Sequence, residues 1–590
     1  MGASRHGHAL VKALRGKRSV PVANPPAAAR RIYSVTPEMN KSRSGWGTLA
    51  GLLAAALAVG VGQLVAGIVA PDSSPVVAVG EASIDLTPPP VKDFAISAFG
   101  SHDKVVLVTG ILAVLAIFAA IVGALAVRRL WYGMLGLAGF TAIGLAAAMT
   151  RPTASASYAA ATLAGGAAAA AALILLVRAA PLAAGPAPAS AQQAGPTPAT
   201  ATGSEPPGES QEPGSAPPGP GWADRAAAPP VPPAPRRRSF LVTGTAAAGT
   251  ATVAYLGGRL LAERSSVALA QQSLRLPAPA HPAPPLPAGS DLRIPGLSSF
   301  ITANTSFYRV DTAIVLPEVP PASWQLRVHG MVAREITLSF SELIRRPLTA
   351  EYITLTCVSN PVAGPYVGNA LWLGASVASL LRQAGVRAGA DQLLCTSADG
   401  FTSGTPLQTV MDGRDAMLAV AMNGTALPVE HGFPVRMVVP GLYGYVSACK
   451  WITDIEVTTY AANVAYWAQR GWDQQAPIKT ESRIDVPTGN NRLKPGPAAV
   501  AGVAWAQHKG IAAVEVRVDN GPWQEARLAA VPDIDCWRQW VWDWNATPGS
   551  HLIQARATDA ADYTQTALQQ PPEPNGATGY PGVSVSVARA

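Results

Sequence analysis

Four cysteines, Cys357, Cys395, Cys449 and Cys536, supply the thiols of this 590-residue chain, and all of them lie in its C-terminal half. None forms a CxxC pair or a spacing typical of a zinc site, so each alone reads as a buried thiol or half of a disulfide. The chain contains no GxGxxG, P-loop, GxSxG or HExxH, which removes the usual dinucleotide, nucleotide, serine-hydrolase and zinc-protease signatures. Cys357 stands apart by its surroundings. It closes a strand-like run, TLTCVSN (Thr354 to Asn360), and leads into GNALWLGASVASLL. Downstream come SADGF (Ser397 to Phe401), MNGTALPVEHGFPVRMVVPGLYG (Met422 to Gly444) and KWI (Lys450 to Ile452).

These motifs, in this order, resemble the sulfite oxidase family of molybdenum enzymes. The resemblance runs from about Ser298 to the C-terminus, and HGFPVR followed by PGxxG and KW is its most specific part. It implies a molybdenum-molybdopterin cofactor with Cys357 as the sole protein ligand of the metal. A soft thiolate suits a high-valent metal already held by dithiolene sulfurs, and a single cysteine leaves positions open to substrate. The pterin phosphate must be met by cations or N–H donors. The resemblance assigns that task to His431, Arg436 and Lys450, with backbone N–H groups from Gly444 and Ser447.

TANTSFYRVD (Thr302 to Asp311) resembles the segment that approaches the cofactor from the other side, which makes Asn304, Tyr308 and Arg309 candidates; a strand with one exposed arginine is the alternative. AYWAQRGW (Ala465 to Trp472) resembles the stretch carrying an active-site tyrosine. With Cys357, the implied catalytic set is therefore Tyr466 as hydrogen-bond donor and Arg309 as substrate anchor. PIKTESRIDVP (Pro477 to Pro487) resembles the junction into a dimerisation domain, with Lys479 and Arg483 able to reach back to the anion pocket. Cys395 and Cys449 abut motifs where family members more often carry small or hydroxyl residues. The resemblance thus pairs them as a disulfide, with two independent thiols as the alternative.

Sulfite oxidases usually continue from the cysteine as CxxNRR, whereas this chain has Asn360, Pro361 and Val362, and His508 and Lys509 stand where a substrate arginine is expected. Fewer fixed cations weaken selection for a dianion such as sulfite. The implied reaction is oxygen-atom transfer at a small oxyanion or sulfoxide, with sulfoxide reduction as the reverse chemistry; a non-catalytic surface protein on an enzyme-like scaffold is the other class. Electrons require an external carrier such as a cytochrome or a quinone-linked protein. No haem is expected, because none of the eight histidines lies in an apolar run.

The elements that must position these residues differ sharply between the two halves of the chain. Only 14% of residues are charged, below the ~25% of ordinary soluble domains. Before Ser290 there are 22 Lys and Arg against 11 Asp and Glu, and from Ser290 onward 22 against 25. Basic charge beside apolar runs sets membrane topology, so nucleic-acid binding is set aside. Four uncharged stretches, Thr48 to Ala70, Val105 to Val127, Trp131 to Met149 and Tyr158 to Val177, and a fifth, Phe240 to Gly258, are each near the ~20 residues of a membrane helix. Nine Lys and Arg precede the first, which puts the N-terminus in the cytoplasm and everything after Arg259 outside.

The fold class is multi-domain: N-terminal transmembrane helices, an α+β sulfite-oxidase-like molybdopterin domain, and a C-terminal immunoglobulin-like β-sandwich. The expected units are a basic cytoplasmic tail (1–47), four transmembrane helices (48–178), a Pro/Gly-rich disordered linker (179–239) and a fifth transmembrane helix (240–261). A tether (262–297), the molybdopterin domain (298–485) and the immunoglobulin-like dimerisation domain (486–590) follow, the last implying a homodimer. VEVRV before an Asn520 and Gly521 turn marks the sandwich by period-two alternation. Arg236, Arg237, Arg238, Ser239, Phe240 and Leu241 resemble a twin-arginine export signal; a topology anchor at the cytoplasmic end of the helix is the alternative.

Overall fold

Apolar runs of about twenty residues fold as helices when their backbone groups must be satisfied within one segment. The computed structural model describes residues 37–69, 73–88, 91, 103–151, 154, 156–180, 236–263, 266–489 and 492–589. The tail before residue 37 and the linker over 181–235 lie outside the described residues. Five helices are long and apolar enough to cross a membrane, at Ser44–Val69, Val106–Arg128, Leu130–Met149, Tyr158–Ala179 and Arg237–Leu261. We name the helices α1 (Pro37–Val69), α2 (Pro75–Leu86), α3 (Asp103–Arg128), α4 (Leu130–Met149), α5 (Tyr158–Ala179) and α6 (Arg236–Glu263).

Helix α1 packs against α3, α5 and α6. Its small residues allow the backbones to meet: a β-carbon on Gly51 would fall 1.9 Å from the Ala119 carbonyl oxygen of α3. The short apolar helix α2 was not expected from the sequence. Ser74, just before it, donates a hydrogen bond to Gln63 of α1 (2.9 Å), and Glu81 within it pairs with Arg151 (2.5 Å).

The expected tether over 262–297 is a packed segment. Helix α7 (Ser266–Ser273) buries Val267 in the core of the following domain, and Gln271 donates to the Leu427 carbonyl (2.6 Å). Beyond it, Ala280 and His281 donate their N–H groups to the Leu348 carbonyl, and Leu292 N–H bonds Gln539. A proline-rich chain still docks where its non-proline N–H groups find acceptors, which composition does not reveal.

The central domain holds two sheets. One contains β1 (Gln325–Gly330), β2 (Ile336–Ser339), β5 (Gln392–Ser397), β6 (Thr402–Pro406) and β10 (Ile452–Thr458), in the order β2-β1-β10-β5-β6. The other contains β3 (Leu348–Thr356), β4 (Val367–Ser376), β7 (Met417–Met422) and β8 (Thr425–Ala426), with β9 (Arg436–Val438) paired to β7. A shared core including Trp324, Leu381, Leu393 and Ile455 lies between them. Helices at Val377–Ala384 and elsewhere fill in the α+β pattern.

Residues from β11 (Glu481–Val486) onward form two further sheets. One is ordered β11-β13-β17-β16, with β13 (Gly496–Trp505), β16 (Arg527–Leu528) and β17 (Arg538–Ala546). The second is ordered β12-β19-β18-β14-β15, with β12 (Arg492–Leu493), β14 (Ile511–Val518), β15 (Gln524–Glu525), β18 (Gly549–Asp559) and β19 (Gly582–Val587). Val500, Trp540, Val514, Ile553 and Val585 meet in one core between the two sheets.

Candidate functional site

Strand β3 delivers Cys357 at its end, where the chain leaves the sheet for the turn into β4. The strand is paired with β4 from Leu348 to Thr356, and the Cys357 N–H continues the ladder to the Tyr366 carbonyl (3.0 Å). Cys357 is 7% exposed. Burial pushes its thiol above the usual range, while hydrogen bonding to Ser359 and the charge of Lys450 pull it back. Two residues sequence reasoning had not singled out pin this strand from the C-terminal domain: Gln507 donates to the Thr354 carbonyl and to the Thr356 hydroxyl (3.0 Å each), and Trp537 N–H donates to the Thr354 hydroxyl (2.7 Å).

His431, Arg436 and Lys450 come from three different loops and strands and converge around Gly432. At φ +108° that glycine adopts a conformation open to few other residues, and a β-carbon there would lie 2.9 Å from Arg436 Cβ and 3.1 Å from Lys450 Cβ. Arg436 is 5% exposed, donates to the carbonyls of His431 and Ala448 (3.2 and 3.3 Å), and lies over the Trp372 ring. Burial lowers its guanidinium to about 10. Lys450 donates to Asp311 (2.9 Å) and to the Glu430 carbonyl (3.1 Å). Burial lowers it to about 8, with Asp311 pulling it up. Burial and the neighbouring Arg436 hold His431 down at about 4, so its ring is neutral; its Nε2 bonds the Asn304 carbonyl (3.1 Å).

Tyr308 lies beside both Cys357 and Arg436. Burial and the thiol raise its phenol far above the ordinary range, so it stays a neutral donor, while Arg436 lowers it in part. Its hydroxyl also approaches Gly444, where an added β-carbon would lie 3.8 Å away. Asn304 contributes its carbonyl to His431, whereas its side-chain amide donates to Thr425 and accepts from Asn423. Arg309 is an exposed side chain paired with Asp311 (2.8 Å), the carboxylate that also holds Lys450.

Three expectations differ from the structure. Ser447 donates its hydroxyl to the carbonyls of Leu442 and Tyr443, and its N–H bonds Tyr443, so the one-turn helix Gly444–Ser447 uses these groups itself. Tyr466 donates its main-chain N–H to Thr402, stands edge-on to Trp467 and lies under the Arg470 guanidinium at 3.5 Å. Tyr443, which within PGLYG reads as part of a turn, is buried with its hydroxyl against Gly576, and burial followed by the charge of Glu481 raises its phenol well above the ordinary range. Lys479 and Arg483 do not serve the anion pocket through their bonds: Lys479 donates to Asn575 and Gly576, and Arg483 to Gly364, Ser298 and Asp485. All four cysteines are buried free thiols, so Cys395 and Cys449 form no disulfide.

This donor set fits a molybdenum pterin. A buried guanidinium whose hydrogen bonds end on carbonyls, with a buried ammonium nearby, calls for an anion. A soft thiol is presented near it, and Asn360 Nδ2, three residues on, is a buried donor with no partner among the described residues.

Residues 313–467 match the oxidoreductase molybdopterin binding domain. The chain is 30% identical to sulfite oxidase of Gallus gallus over 317 residues, covering 44% of this chain and 67% of that protein. Mitochondrial sulfite oxidase of Mus musculus is 29% identical over 289 residues, 41% of this chain and 52% of that one, so the chain spans about half its length. An uncharacterized oxidoreductase of Bacillus subtilis is 30% identical over 169 residues, 29% of this chain and 82% of its own. With these matches added to the thiol, the buried cations and the two-sheet scaffold, the chain belongs to the sulfite oxidase family of molybdopterin oxidoreductases.

Proposed function

We propose that the protein is a membrane-anchored molybdenum enzyme that transfers an oxygen atom to or from the sulfur of a small molecule on the extracytoplasmic side. The observation that carries this reading is the buried Cys357 thiol at the end of β3, which feels the charge of the buried Lys450, together with the buried Arg436 and the buried phenol of Tyr308. Cys357 would hold the metal, and bound there the cofactor would supply oxygen-atom and two-electron transfer. Arg436 and Lys450 would meet the pterin phosphate, the neutral His431 would keep the Asn304 segment in place, and Gly444 would let the cofactor approach the backbone.

Tyr308, held neutral by burial, would donate a hydrogen bond to the reacting oxygen. Arg309, tied to Asp311 yet exposed, would steer an anionic substrate at the mouth. Sulfoxide reduction is the second reading, favoured by Asn360, Pro361 and Val362 standing where the family usually carries an arginine pair. The five apolar helices support anchoring, with the N-terminus in the cytoplasm. The last two sheets support an immunoglobulin-like sandwich, offered as the surface through which two chains pair, and electrons pass to an external carrier.

Purified full-length protein tests this directly. One molybdenum per chain, with dye-linked turnover of sulfite or of a sulfoxide, is the expected result. Metal-free protein without turnover, after expression in a cell that makes the cofactor, would leave only a binding scaffold.

A further inference from the structure

We propose that the cavity inside the helix bundle binds a lipid-soluble quinone that exchanges electrons with the outer catalytic domain, an inference that rests on the redox reading above. The cavity measures about 520 Å³ and lies among all five long helices. Its walls are almost wholly apolar and include the rings of Phe118 and Phe140. That volume lies in the ~300–1,000 Å³ range of small-molecule sites, enough for a quinone ring and the first units of its tail.

One polar group sets the cavity apart from a gap filled by lipid. Thr162 lines it, is only 4% exposed, and its hydroxyl finds no partner among the described residues. A buried donor left unmet is destabilising. An acyl chain cannot meet it, whereas a quinone carbonyl accepts a hydrogen bond while its ring lies against apolar and aromatic walls.

The position of the cavity links it to the catalytic domain. Pro75, Val76 and Val79 of α2 line one part of it. On the same helix Gly80 faces Ile314, whose Cδ1 would lie 2.8 Å from an added β-carbon. Three residues before Ile314, Asp311 holds both Lys450 and Arg309. Packed protein therefore continues from the cavity to the pocket around Cys357. The chemistry balances: oxidation of the substrate with water releases two electrons and two protons, and one quinone takes them up to become quinol. In the reverse direction quinol supplies both.

The test uses full-length protein in phosphatidylcholine vesicles with a photoreactive benzoquinone bearing a ten-carbon tail. Labelling should be saturable and map to α1, α3 and α5. Thr162→Val, which keeps the shape and removes the hydroxyl, should weaken binding about tenfold. Ala116→Phe fills the cavity from a lipid-exposed position and should block it. In both variants the ratio of quinone-linked to dye-linked turnover should fall. Labelling spread evenly over the lipid-facing surface, or unaffected by Ala116→Phe, would overturn the site, as would a phospholipid that the quinone cannot displace. Saturable binding with dye-linked but no quinone-linked turnover would overturn the electron exchange. If dye-linked turnover is itself absent, the redox reading fails while the binding result stands separately.

Discussion

At the scale of single residues, the proposed roles divide into groups that would hold the cofactor and groups that would touch the substrate. Replacing Cys357 by Ser substitutes a harder, less donating oxygen for the thiolate, whereas Arg436 and Lys450 remain to hold the pterin. Oxygen-atom transfer is expected to fall by about a thousandfold or more with the pterin content retained; full activity in purified Cys357→Ser would remove the assignment. Tyr308→Phe is expected to lower kcat by about 10–100-fold at unchanged molybdenum content, because the buried neutral phenol that feels both Cys357 and Arg436 is lost. Tyr466→Phe, whose ring lies under Arg470, is expected to leave kcat within about threefold. The reverse order of effects in steady-state assays would return the donor role to Tyr466. Thiol titration of the denatured, unreduced chain should count four free cysteines, matching the four free thiols of the structure.

At the scale of elements, the first residue of β11 carries a pH-dependent burden. Glu481 is 4% exposed, and burial raises its carboxyl to about 8, with Lys479 pulling it back. A raised folded-state value means that the stability linked to the bound proton is fully present below the unfolded value of about 4.5 and is lost as pH rises toward 8. Glu481→Gln should therefore be more stable than the native chain at pH 8 by ~2–4 kcal/mol, with the advantage shrinking toward pH 5. Chemical denaturation at both pH values measures it, and an equal difference at the two would refute the cause. Helix α6 poses a separate question, since Arg237 and Arg238 are exposed at its start. If they form an export signal, changing both to Lys strands the catalytic domain inside, because a receptor reads the guanidinium geometry and not charge alone. Protease protection of intact cells decides between that outcome and the normal placement expected of a topology anchor.

At the scale of the whole molecule, the catalytic strand is held from several directions. Gln507 and Trp537 reach β3 from the C-terminal domain, α7 buries Val267 in the central core, and α2 faces Ile314 from the helix bundle. The C-terminal sheets are thus part of what fixes Cys357, beyond any role in pairing two chains. Gln507→Leu should reduce molybdenum occupancy several-fold while leaving the five long apolar helices folded, because it leaves the Thr354 carbonyl and the Thr356 hydroxyl short of a buried partner. Metal content set against circular dichroism of the same sample measures that effect.

The amino-acid sequence by itself determined the features that depend on local composition and on ordered motifs. Five uncharged runs had to become helices because apolar length alone settles that outcome, and HGFPVR with KW marked the family whatever the details of packing. Only the tertiary structure decided which polar atoms are already spent. Ser447 turned its groups onto its own loop, Arg483 tied down the turn after Cys357, and Tyr443 buried its hydroxyl against Gly576. The segment 262–297 likewise became part of the core through hydrogen bonds to distant partners such as Leu427, Leu348 and Gln539. Local sequence constrains backbone propensity and residue type, but burial and partner choice depend on residues brought together from more than a hundred positions apart. That is why the cofactor motif was legible and the geometry around it was not.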